Sequence, residues 1–220
     1  MTLAELIRRV RTDANDKAQP YFWSDEDITY WLNDAQDEAA VRGRLFHERA
    51  NRSVCQIAVT AGRDTYLLHP ALYELTRVAF VADGKTTPLV LVSRETLDRI
   101  SPDWREHVGR PEWAVQDDRS IQLVPKPDIA GTVSLEGYRL ALQPMEAGDD
   151  EPELHAAHHR HLINWALHRG FSVPDMETFD PTRAATAERA FAQYFGLRPD
   201  ADLRRITRED VPHHVEAFWP

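Results

Sequence analysis

Cysteine is nearly missing: the chain's 220 residues include one, Cys55. A single thiol excludes an intrachain disulfide framework and a cysteine-based zinc site built from one copy, and it fits assembly in a reducing compartment. Glycine is scarce too, nine in all, and the nine form no Walker loop, dinucleotide-binding pattern or nucleophile elbow. No apolar run approaches the ~20 residues that cross a bilayer, and Met1 to Val10 reads as an amphipathic helix, not a secretion signal. Basic residues are outnumbered, 26 against 36 acidic, for a formal charge of −10. That balance argues against a protein that grips phosphate backbones, although an acidic wall suits DNA that must slide past. The expectations are a soluble structural subunit that is not an enzyme, with no cofactor, no bound metal and no membrane partner.

Length is not lacking, and either one large domain or two modest ones can bury a core. Thr2 with Glu5 forms a capping box ahead of Leu3, Leu6, Ile7, Val10 and Ala14 at helical spacing. Ser24, followed by Asp25, Glu26 and Asp27, caps a second helix, with Ile28, Trp31, Leu32, Ala35 and Ala39 on one face, running to about Arg44. From Ser53 the period changes to two, with Cys55, Ile57 and Val59 on one side, so a strand begins there and the Cys55 thiol packs inward. The turn Ala61 to Asp64 followed by Thr65 to Leu68 predicts a hairpin. Further strands are expected at Leu75 to Ala82, Thr87 to Val92, Trp113 to Val115, Ser120 to Val124 and Thr132 to Leu140, with a short helix over Ser93 to Ile100.

Helical spacing resumes over Leu154 to Arg169, and Asp180 before Pro181 caps a last long helix that Gly196 ends. The expected class is α+β: an antiparallel helical bundle of two hairpins (1–50 and 152–196), an inserted small antiparallel β domain (51–151) and an extended C-terminal arm (197–220). The arm carries Arg198, Arg204, Arg205, Arg208, three prolines and a Phe218-Trp219 pair. Exposed aromatics at the tip of such a segment suit an anchor in a partner.

His155, His158, His159 and His161 give the strongest hint of chemistry, because His155 and His159 share a helix face, as do His158 and His161. A zinc-dependent hydrolase on this helix is the rival reading, though the H-E-x-x-H spacing is missing and helix-surface stacking accounts for the same residues. Asp25-Glu26-Asp27 reads as helix capping and Asp149-Asp150-Glu151 as a solvated linker, against a two-metal site. Trp104 and Trp113, around Gly109-Arg110-Pro111, brace a loop; a sugar platform is the alternative.

The stretches WSDEDITYWLNDAQDEAAVRGRLF (Trp23 to Phe46), TYLLHPALYELTRVAF (Thr65 to Phe80), LDRISPDWREHVGRPEW (Leu97 to Trp113), LVPKPDIAG (Leu123 to Gly131) and His158 to Gly196 resemble, in order and spacing, the head-to-tail adaptor family of tailed bacteriophages. The resemblance implies a ring, commonly of roughly twelve copies, in the virion neck, assembled in the host cytoplasm, that docks on the portal protein and seats tail or nozzle proteins. Genomic DNA would pass through without specific binding. It also implies that a C-terminal extension reaches into the portal, which makes Arg198, Arg204, Arg205, Arg208, Phe218 and Trp219 the portal-binding candidates. Another neck or tail-completion protein is the alternative within the same class.

Overall fold

The computed structural model describes residues 1–174 and 177–200. In chain order the elements begin with α1 (Leu3–Ala14), α2 (Asp25–Gly43), β1 (His47–Glu48), α3 (Arg52–Cys55), β2 (Gln56–Val59) and β3 (Thr65–Leu67). They continue through β4 (Leu72–Ala82), β5 (Lys85–Leu91), α4 (Arg94–Ile100), β6 (Val108–Gly109), β7 (Trp113–Gln116) and β8 (Ser120–Val124). Last come β9 (Lys126–Pro127), β10 (Gly131–Arg139), α5 (Ala156–Phe171) and α6 (Pro181–Phe195). Met1–Phe46 joins Arg139–Pro199 in a helical unit, and His47–Tyr138 forms a β unit.

In the helical unit the local signals are realised as geometry. The Thr2 hydroxyl accepts from the Glu5 amide while the Glu5 carboxylate accepts from the Thr2 amide, and Ser24 with Asp27 repeats the exchange, which satisfies otherwise orphaned donors. Asp180 Oδ1 accepts from the Thr182 and Arg183 amides at 3.0 Å each. One boundary differs from the spacing: α5 starts at Ala156 because the His155 ring nitrogen accepts from the Ala157 amide and caps it. Helix α5 is the hub, packing on α6, α2 and α1. Leu6, Val10, Ile28, Leu32, Leu162 and Phe191 are fully buried among them, each such side chain contributing about 1.5–3 kcal/mol. Trp23 closes one end, edge-on to Trp31 at 5.5 Å and to Phe171 at 5.3 Å between ring centroids. It lies so close to Gly170 that a Cβ there would sit 2.7 Å from the indole.

The β unit overturns the expected architecture. Its principal sheet has eight strands in the order β1-β10-β4-β5-β7-β8-β3, with β2 also on β10, and β6 pairs with β9 separately. The ladder is not purely antiparallel, since β5 runs parallel to β7 and β6 parallel to β9. With two of the six described helices, α3 and α4, inside this unit as well, the chain is a sheet-rich α+β protein, not a helical bundle carrying a small antiparallel insertion. The expected hairpin across Ala61 to Asp64 is also absent: β2 pairs with β10 and β3 with β8. The Tyr66 hydroxyl organises the turn instead, bonding the Thr60 amide and the Thr60 and Arg63 carbonyls at 2.8–3.1 Å. Ser53 to Cys55 belongs to α3, capped by Asn51, so the strand starts at Gln56 and Cys55 is buried at the helix end.

Candidate partner interface

Arg42, in the last turn of α2, holds two helix ends together. Its Nε donates to Glu38 Oε1 at 2.9 Å, and its Nη1 donates to Glu188 Oε1 at 3.2 Å and to the Gly196 carbonyl at 3.4 Å. The guanidinium stands 5.1 and 5.2 Å from the ring centres of Trp165 and Phe191. Its side chain is 5 % exposed, so these pairs are weakly screened. At Gly196 the backbone takes φ 99°, a conformation glycine adopts at little cost. Leu197 is then 82 % exposed, and Arg198 Nε lies 3.5 Å from Glu38 Oε1. The segment following α6 is thus tethered beside the C-terminal end of α2. Of the portal-binding candidates, Arg198 occupies this ion pair, while Arg204, Arg205, Arg208, Phe218 and Trp219 lie outside the described residues.

The histidines are built into the α5–α6 contact. His161 lies flat on Tyr194, with centroids 3.4 Å apart and planes 9° apart, and His158 Nδ1 is 3.1 Å from the Tyr194 hydroxyl. Burial, then the neighbouring positive charges of His155 and His159, pushes the His158 pKa below its ordinary value; burial, then His158 and Arg160, does the same at His161. His159 is buried, its Nε2–H donating to the Leu154 carbonyl at 2.7 Å while Nδ1 lies 2.8 Å from the Met1 nitrogen. His158, His159 and His161 are therefore engaged in contacts with Tyr194, Leu154 and Met1. Among the described residues no group of three or more His, Cys, Asp or Glu side chains is arranged to hold a metal. The acidic runs are also engaged: Asp25 pairs with Arg11, Asp27 caps α2, and Asp150 accepts from the Glu146 and Ala147 amides, which lowers its pKa. Trp104 is buried with Val92, Leu97, Val115 and Val124, its indole N–H donating to Asp98, so it braces α4 rather than facing a sugar.

A further surface escaped the sequence reading. In the loop between α1 and α2, Tyr21 and Phe22 are exposed while Trp23 is buried, and Phe179, before α6, is exposed as well. The signal was present as three consecutive aromatics in a short connection, more than one helix end can bury. The loop is fastened from behind by Arg11, whose Nη1 donates to Asp16 at 2.7 Å and whose Nη2 donates to the Trp23 carbonyl at 2.9 Å and to Asp25 at 2.5 Å. The Arg11 guanidinium covers the Tyr21 ring at 3.8 Å. Exposed aromatics on a loop held in place in this way suit a surface that binds other proteins.

A family model described as SU10 adaptor protein matches residues 1–215. The chain belongs to this family. It is a phage head-to-tail adaptor family, which makes the adaptor a virion structural protein and accords with the resemblance carried by its helical and central stretches. A comparison with curated proteins finds no match. No described helix of the adaptor is long and apolar enough to cross a membrane.

Proposed function

We infer that the adaptor assembles as a ring beneath the portal vertex, attaches to the portal through the segment after Gly196, seats tail or nozzle proteins, and surrounds the passing genome. The family match over residues 1–215 carries this reading. The geometry supports it at two places. The segment after α6 leaves the helical unit at the Arg42–Gly196–Arg198 cluster, which sets where the arm that carries Phe218 and Trp219 begins. In the β unit, Leu67 is 75 % exposed beside a groove of about 440 Å³ that His69, Pro70, Tyr73 and Arg119 help to line, a surface suited to a tail component. Arginines 204, 205 and 208 add positive charge to pair with partner carboxylates. The test is mass photometry of purified adaptor with and without portal, where a ring is expected at least in the presence of portal. Truncation after Leu197, and separately Phe218→Ala with Trp219→Ala, should leave circular dichroism and Tm unchanged while abolishing portal binding. A persistent monomer under both conditions, or normal portal binding by both variants, rejects the reading.

A further inference from the structure

We propose that the pocket at the N-terminal end of α6 receives arginine side chains from residues 204–208 of a second copy of this chain, so that each arm fastens its neighbour before its aromatic tip reaches the portal. This rests on the ring reading above and names a partner for the arginines within it. The pocket encloses about 340 Å³ within the helical unit; Asp16, Phe22, Glu177, Phe179, Asp180 and Arg183 are among its lining residues. Phe22 and Phe179 are 50 % and 49 % exposed there. Three carboxylates therefore face one guanidinium. That guanidinium is already committed: Arg183 Nη2 donates to the Asp13 and Ala14 carbonyls at 3.3 Å each and covers Phe171 at 3.9 Å. Asp16 is neutralised from behind by Arg11 and Asp180 caps α6, whereas Glu177 has no ion pair among the described residues. The same end of the molecule thus stacks guanidinium on aromatic twice, Arg11 on Tyr21 and Arg183 on Phe171, and leaves two further rings and a carboxylate unused. A planar cation that stacks on rings and pairs with a carboxylate is what such a lining accepts. Because Arg11 and Asp16 hold the loop in place, little ordering remains for binding to supply.

The chain's own sequence contains the complementary segment. Although its formal charge is −10, Arg204, Arg205 and Arg208 fall within five residues. Arg198 is pinned to Glu38 at the opposite end of α6 from the pocket, and the helix's 15 residues separate the two ends by about 22 Å. To fill its own pocket, an arm would have to double back along the whole helix, with the chain to Arg204 and Arg205 nearly at its full extension. A neighbour's arm needs no such reversal, and one arm in one pocket around a ring is a closed head-to-tail interface. The ten residues from Arg208 to Phe218 can still extend about 33 Å toward the portal.

Disulfide trapping with full-length protein decides it, since native Cys55 is buried. Chains carrying Glu177→Cys are mixed with chains carrying Arg205→Cys and assembled, with portal where portal is needed, while mass photometry follows the assembly. A heterodimer is expected at ten or more times the level given by Glu177→Cys mixed with Glu95→Cys. Arg204→Glu, Arg205→Glu and Arg208→Glu together should weaken assembly at least tenfold with Tm unchanged. Rings that form without excess heterodimer overturn the inference and leave the ring reading standing. So does an intrachain disulfide in the doubly substituted chain without heterodimer in the mixture. Failure to assemble at all removes the ring reading and this inference with it.

Discussion

Arg42 shows how much one side chain can hold: it joins Glu38 on α2, Glu188 on α6 and the carbonyl where the chain leaves α6, while lying against Trp165 and Phe191. Removing it strands the largely buried Glu38 carboxylate, so Arg42→Ala should cost about 3 kcal/mol, read as a lower urea midpoint at unchanged slope. His158 and His161 set a pH dependence. Their folded-state pKa values lie below the ordinary histidine value through burial first and neighbouring positive charge second. A depressed value means that protonation favours the unfolded chain. The stability involved is therefore complete above about pH 6.5 and is lost as pH falls through that value and then through the lower folded-state pKa. Urea midpoints measured across this window should fall with acidification in the native protein and fall less in a variant carrying His158→Asn with His161→Phe. Equal slopes would reject the assignment. The sequence marked these histidines as a cluster, but their neutral, stacked role depends on Tyr194, 33 residues after His161 on another helix.

Elements were read best where the determinants are local. Thr2 with Glu5, Ser24 with Asp27, Ser93, and Asp180 with Pro181 each stand at the helix start that their side chains imply, because a cap acts over three or four residues. Strand spans were read well at β4, β5, β7, β8 and β10, where apolar and β-branched residues cluster between turns. Strand partners were not. Gln56 to Val59 and Thr65 to Leu67 stand on either side of a short turn, yet their ladder partners are β10 and β8, residues far along the chain. Strand β10 shows why such pairings are stringent. A Cβ at Gly137 would collide with the Glu74 carbonyl, and one at Gly131 would lie 2.6 Å from the Val81 carbonyl, both oxygens on β4. Gly137→Ala should then destabilise the adaptor by about 1–3 kcal/mol, as overpacking does, seen as a lower Tm. An unchanged Tm would mean that β10 can move away from β4 at no cost.

For the whole molecule, charge makes the clearest prediction. In the proposed ring, subunits each carrying −10 would present DNA with repulsion rather than grip, so the purified adaptor should bind duplex DNA weakly even at low salt. Submicromolar binding at about 0.15 M salt, measured by fluorescence anisotropy, would refute the charge argument. The partner surfaces divide in the same way between what sequence and structure reveal. Phe218 and Trp219 stand out in the sequence as a pair of large apolar residues in a segment broken by prolines. Phe22 and Phe179 did not, because burial is decided by how the ends of α1, α5 and α6 meet, and Trp23, their neighbour in type and place, lies inside. By itself the sequence determined the long helices, the caps of α1, α2 and α6, the acidic balance and the family, since each depends on residues a few positions apart or on their order along the chain. Only the tertiary structure decided the eight-stranded sheet, the Arg42 junction and the aromatic pocket beside α6, because each brings together residues that the chain separates by dozens of positions, and contact energies, not local preference, select those partners.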